Sequence, residues 1–125
     1  GLKAEGLGAL SWLARLYWYT VEFGLIRTAR GLRSYGAGIL SSPGEIDHSL
    51  TSPASRRVAF DLVRVMRSRY RIDAYQQTYF VVDSFQQLFD ATRPDFTPLY
   101  RALAGLEDLP ADAALPEDRL VPPGG

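Results

Sequence analysis

Between residues 10 and 21 the chain repeats apolar side chains at Leu10, Leu13, Leu16, Tyr17 and Val21, the three- and four-residue spacing of one helix face. Trp12, Trp18 and Tyr19 fall on the other side. The helix predicted from Leu7 to about Phe23 is therefore apolar nearly all round, a pattern expected of a buried helix. A membrane span over 10–26 is not expected, because the stretch is shorter than the usual ~20 residues and contains Arg15 and Glu22. Gly24 closes the helix, and "GLIRTARGLRSYGAG" reads as two short strands around a turn at 29–31.

The serines, Pro43 and Glu45 of "ILSSPGEIDHSL" predict a turn entering a short helix. Ser52 and Pro53 then read as the cap and first residue of another, with Ala59, Leu62, Val63, Met66 and Tyr70 as its apolar stripe and arginines on a solvated opposite face. "AYQQTYFVV", 74–82, is rich in β-branched and aromatic residues and predicts a strand. Ser84 and Gln87 form a capping box for a helix to about Thr92, stopped by Arg93-Pro94, and Thr97-Pro98 opens a last helix ending at Gly105. From Leu106 onward five acids and four prolines leave little to bury, so 106–125 is expected to be a loosely attached tail. The pattern as a whole is mostly α with a small β element.

At 125 residues there is room for one modest core, and 46% apolar with 22% charged residues is ordinary for a globular chain. The lack of cysteine excludes a disulfide scaffold or zinc ribbon and makes a cytoplasmic home the simplest expectation. The chain opens without an initiator Met, so its true start is expected upstream. Net charge is zero, yet residues 1–71 hold eleven Lys/Arg against five Asp/Glu, and residues 72–125 three against nine. Six of the eleven lie between Arg56 and Arg71, where a solvated face accounts for them, and no groove-reading motif points to nucleic acid.

In "YWYTVEFGLI", 17–26, one carboxylate, Glu22, stands among aromatic and aliphatic side chains. An ionised carboxylate needs a partner when buried. Three readings are open from the residues alone: a pair with Arg15, a raised pKa serving as a general acid, or a metal ligand. His48 is the chain's lone histidine and at a polar turn reads as a surface or capping residue, so no two-histidine site is available. There is no cysteine or G-x-S-x-G nucleophile, and "GAG" at 36–38 says only that the backbone turns or is closely approached.

"LARLYWYTVEFGLI", "YGAGILSS" and "RYRIDAYQQTYFVVDSFQQLFDATRPDFTPLY" together resemble the second half of the catalytic domain of the pterin-dependent aromatic amino acid hydroxylases, most of all bacterial members acting on phenylalanine. The likeness runs from residue 1 to about 100, so 1–105 is expected to be part of that domain. The family holds a non-haem Fe(II) with two histidines and one glutamate, leaving positions open. The resemblance puts Glu22 in the glutamate's place, with Tyr17 beside the iron as a catalytic residue and Trp18 and Phe23 on the wall around the aromatic substrate. It likewise places Gly38 and Ser41 beside the substrate, the serine also supporting a histidine ligand by a hydrogen bond, and Glu45 just behind that loop.

What the resemblance implies is a fragment of an iron- and tetrahydropterin (tetrahydrobiopterin)-dependent monooxygenase converting L-phenylalanine to L-tyrosine with O2. A preference for tyrosine or tryptophan is the near alternative, and a non-catalytic helical remnant or binding module, with Glu22 paired to Arg15, the distant one. The family's histidine pair, its carboxylate-binding arginine and its main pterin loop precede the region matching Gly1, so this chain is expected to bind iron weakly or not at all alone. With no heptad helix for tetramerisation, a monomer is expected.

Overall fold

The computed structural model describes residues 2–52, 55–70 and 76–121, with side chains from Leu10 onward. The long N-terminal helix is α1 (Leu2–Tyr17), and it runs on into one π-helical turn, Trp18–Glu22. A hairpin follows, β1 (Leu25–Thr28) and β2 (Gly31–Ser34), then two short helices, α2 (Ala37–Leu40) and α3 (Pro43–Thr51). Next come β3 (Arg56–Ala59), α4 (Leu62–Arg67), β4 (Thr78–Val82), α5 (Phe85–Thr92) and α6 (Thr97–Ala104). The expected mostly helical fold with a small β element is what forms.

One sheet, ordered β2-β1-β4-β3, organises the rest, with β1 antiparallel to β2 and parallel to β4, and β3 parallel to β4. Every residue of β4 is buried. Its side chains alternate between two cores, as the two-residue period of a strand requires. Phe80 and Val82 join Leu16, Tyr19, Val65, Met66 and Leu103 beneath α1, α4 and α6, whereas Tyr79 and Val81 join Leu25, Leu32 and Ile39 on the far side. A strand covered on both faces reads as a continuous apolar run, which is why "TYFVV" stood out. The strand begins at Thr78; residues 74 and 75 of the predicted one lie outside the described residues.

The capping signals are realised as hydrogen bonds. Ser42 accepts from Glu45 N, with Pro43 opening α3, and Ser84 accepts from Gln87 N at 3.0 Å. Gln87 Oε1 reaches back to Asp83 N rather than to the cap residue itself.

Two sequence expectations are corrected. The single helix predicted behind Ser52-Pro53 is a strand followed by a six-residue helix capped by Asp61, which accepts from Arg64 N; Pro53 lies outside the described residues. Pairing of 56–59 with β4 overrides the helical spacing, and the arginines do not share one solvated face: Arg69 is exposed, but Arg57 and Arg64 are buried. Arg57 and Arg64 are 5% and 7% exposed. Arg57 donates to the carbonyls of Ser49 and Ser52, closing the C-terminal end of α3, and to that of Ser55 in the loop before β3. The second correction concerns α1, which is not buried all round, since Leu10, Leu13, Tyr17 and Val21 form an exposed stripe.

Residues 106–121, read from sequence as loosely attached, are fastened to the body. Val121 N donates to Arg57 O at 2.6 Å and Ala59 N to Arg119 O at 2.8 Å, so this segment covers the free edge of β3. Asp118 forms a buried ion pair with Arg64 at 2.9 Å, and Asp108, nearer the surface, pairs with Arg15 at 2.7 Å. Burial pulls the Asp118 carboxyl upward, but the Arg64 hydrogen bond and the Leu115 N–H outweigh it and hold it below the ordinary carboxylate range. A depressed folded-state pKa contributes stability above the unfolded value of about 3.9, lost as pH falls through the folded value. Asp118→Asn should cost about 3 kcal/mol at pH 7, because it strips a buried guanidinium of its counter-charge. Denaturant unfolding from pH 7 to pH 3 should show the wild type losing stability below about pH 4 and the variant losing less.

Candidate functional site

Glu22 closes the π-helical turn, and that turn decides what its carboxylate meets. In an α-helix residues five apart are rotated by about 140°. Here Phe23 N donates to Trp18 O at 2.9 Å, an i→i+5 bond that adds a residue to the turn and brings such residues onto one face. Tyr17 Oη accordingly donates to Glu22 Oε1 at 3.4 Å, and the rings of Trp18 and Phe23 lie 4.7 Å apart. Thr20 Oγ1 donates to Leu16 O at 2.6 Å within the widened turn.

The loop after β2 packs directly on this turn. Tyr35 N and Gly36 N both donate to Gly24 O. A Cβ on Gly36 would stand 2.3 Å from Glu22 O and 2.5 Å from Phe23 N, and one on Gly38 would stand 2.9 Å from Phe23 Cζ and 3.1 Å from Glu22 Oε2. Only glycine admits so close an approach of the two backbones. Ser41 Oγ donates to Gly38 O at 2.9 Å, tying the end of α2 back to the same place.

Of the residues singled out from sequence, Tyr17, Trp18, Glu22, Phe23, Gly38 and Ser41 thus come together. Glu45 stands apart from them. It is 6% exposed and accepts from Tyr79 Oη at 2.6 Å and Gln76 N at 3.2 Å, so it fastens α3 to the start of β4. His48 Nε2 lies 2.9 Å from Gln76 O in the same network. Two residues of the site had other readings in the sequence. Tyr70, taken for a helix stripe, stacks on Trp18 with centroids 4.4 Å apart and planes 13° apart, and Gly36, taken only as a turn, is the tighter of the two glycine contacts. "YGAG" carried that signal, since two glycines at i, i+2 beside a tyrosine suggest close approach.

Glu22 is half-buried rather than buried, lying beside the exposed Tyr17 and Val21. The Arg15 pairing is overturned, because the Arg15 guanidinium is bidentate on Asp108 and also donates to Met66 O. Among the described residues Glu22 has no cationic partner, and its hydrogen bond from Tyr17 is long. Trp18 Nε1 and Tyr35 Oη are buried without a partner among the described residues, and burial pushes the Tyr35 hydroxyl up to about 12.

A family model described as biopterin-dependent aromatic amino acid hydroxylase matches residues 4–102. The chain belongs to that family. Among members of the biopterin-dependent hydroxylases, a phenylalanine-4-hydroxylase from Ralstonia nicotianae is 61% identical over 99% of this chain and one from Chromobacterium violaceum 59% over 99%. The chain spans 40% and 42% of their respective lengths. An iron- and phenylalanine-bound crystal structure of phenylalanine hydroxylase from Chromobacterium violaceum superposes with a TM-score of 0.89 at 60% identity, covering 97% of this chain and 45% of that one.

Whether the hydroxylase residues present fit an iron can be tested on the donor set. Glu22 offers a hard carboxylate oxygen without a protein cation, which suits a divalent metal. No group of three His, Cys, Asp or Glu gathers among the described residues, so they do not by themselves make up a complete ligand set. The glycine contacts make a comparative prediction. Gly36→Ala drives a Cβ into backbone atoms and should lower stability by roughly 2–3 kcal/mol, whereas Gly38→Ala meets chiefly side-chain ends and should cost about 1 kcal/mol, as thermal unfolding would show.

Proposed function

We propose that this chain is the glutamate-bearing part of a catalytic domain that hydroxylates L-phenylalanine to L-tyrosine with O2, Fe(II) and a tetrahydropterin. The observation that carries this reading is Glu22: a carboxylate without a cationic partner among the described residues, fixed in a glycine cradle, within a chain of this family. The names of its relatives favour phenylalanine over tyrosine or tryptophan as substrate. The catalytic part ends near residue 105 on this reading, which the family match over 4–102 supports. We read the protein as a cytoplasmic monomer acting on a small molecule, without nucleic acid; no helix among the described residues is long and apolar enough to cross a membrane.

In this scheme Glu22 is the carboxylate ligand to Fe(II), and the Tyr17 hydroxyl at 3.4 Å orients it. Trp18 and Phe23, rings 4.7 Å apart, form an aromatic wall for the phenylalanine ring, and the buried indole N–H, without a partner among the described residues, gives that wall a donor. Gly38 keeps the space beside Glu22 Oε2 clear, and Ser41 holds the Gly38 carbonyl that ends the cradle. Glu45 backs the loop from behind by anchoring α3 to β4 through Tyr79. The bound iron and pterin together supply the reductive activation of O2. The side chains supply a ring pocket, a ligand of fixed direction and shielding from water.

Glu22→Gln in the full-length protein tests this. A neutral amide is a poor ligand for a hard divalent cation, so iron content and phenylalanine hydroxylation should both fall by at least about tenfold. Retention of full iron and activity would sink the reading.

A further inference from the structure

The Trp18–Tyr70 stack joins two distant parts of the chain. Trp18 follows α1, whereas Tyr70 stands beyond α4 in a stretch without regular structure. A ring on such a stretch keeps its place only if the backbone carrying it is held. Tyr19 Oη donates to Arg69 O at 2.6 Å, Arg69 N donates to Leu109 O at 2.9 Å, and Leu109 N returns a bond to Arg67 O at 2.6 Å.

Beside these lies one carboxylate that pairs with an arginine near each partner of the stack. Asp108 takes a bidentate pair from Arg15, at 2.7 and 2.9 Å, and lies 3.6 Å from Arg69 Nη2. Arg15 precedes Trp18 by three residues on the same helical run, and Arg69 immediately precedes Tyr70. The Arg15 side chain is 12% exposed and that of Asp108 34%, so the bidentate geometry rather than burial gives this arm its strength. The hydrogen bond from Arg15 holds the Asp108 carboxyl below the ordinary carboxylate range, and it is therefore charged at neutral pH.

We infer that Asp108 is a positioning residue for the substrate pocket: by clamping Arg15 to Arg69 it fixes Tyr70 against Trp18, and so sets how firmly the aromatic wall holds the substrate ring. The inference rests on the pocket role proposed above for Trp18. It gives Asp108, outside the family match over 4–102, an indirect part in substrate affinity.

The test uses the iron-loaded full-length protein and steady-state kinetics with L-phenylalanine. Asp108→Asn should raise KM by roughly three- to tenfold while kcat and iron content stay within about twofold, and Asp108→Glu should restore most of the loss. Tyr70→Leu should raise KM similarly, and the double variant should be no worse than Tyr70→Leu alone, since both changes act through one stack. Arg69→Gln, at a mostly exposed side chain, breaks the weaker arm without burying a charge and should give a smaller rise in KM. Effects that multiply in the double variant, or an unchanged KM in Asp108→Asn, would overturn the inference. Trp18→Phe separates the two levels. If it raises KM while Asp108→Asn does not, only the clamp fails; if it leaves KM unchanged, the pocket reading fails and the clamp loses its link to substrate.

Discussion

The hydrogen bond from Phe23 N to Trp18 O is the constraint on which the candidate site depends. Had the helix continued as a regular α-helix, Tyr17 and Glu22 would point some 140° apart, and so would Trp18 and Phe23. One inserted residue puts both pairs on a common face, hydroxyl beside carboxylate and indole beside phenyl. π-helical turns of this kind are uncommon and concentrate at functional sites, because the widened turn is less favourable and persists where surrounding contacts hold it.

Those contacts come from the sheet. Leu25 begins β1 one residue after Gly24, and its side chain is fully buried in the core that Tyr79 and Val81 share. The turn is therefore anchored at its C-terminal end by a strand that cannot move without opening the core. On the other side Leu16 and Tyr19 hold the helix against Phe80, the last ring 5.0 Å away and edge-on. The loop 35–38 then closes over the turn, pinned by two hydrogen bonds to Gly24 O. Each of these supports approaches from a different element, and the direction of the Glu22 side chain is set by their sum.

How much of this the sequence discloses depends on the range of the interaction that decides each feature. Local signals are legible: the Ser42 and Ser84 caps, Pro43 at the start of α3, the hairpin turn before Gly31 and the continuous apolar run of β4 follow from chemistry within a few residues. Features decided at long range are not. The helix predicted behind Ser52 forms only from Leu62 because 56–59 finds a strand partner in 78–81, and the acids and prolines after Leu106 give no sign that Asp118 meets Arg64 or that Val121 pairs with Arg57. The site shows the same division. Glu22 stands out at once as a carboxylate in apolar company, while its partner Tyr17 lies at a spacing no α-helical reading would pair, and Tyr70 reaches Trp18 only through the tertiary fold.

The treatment of charge across the molecule gives Glu22 its meaning. Arg64 is matched to Asp118, Arg15 to Asp108, and the buried Arg57 to the carbonyls of Ser49 and Ser52 at the end of α3 and of Ser55 beyond it. Glu45, also buried, receives a phenolic hydroxyl at 2.6 Å and a backbone N–H. In each case the cost of removing a charge from water is offset by short, well-directed hydrogen bonds. Glu22 is handled differently, with one hydrogen bond at 3.4 Å and two glycines clearing the space around it. A fold that satisfies its buried charges so closely leaves this half-buried carboxylate fixed in direction and weakly bound, an arrangement consistent with the ligand role proposed for Glu22.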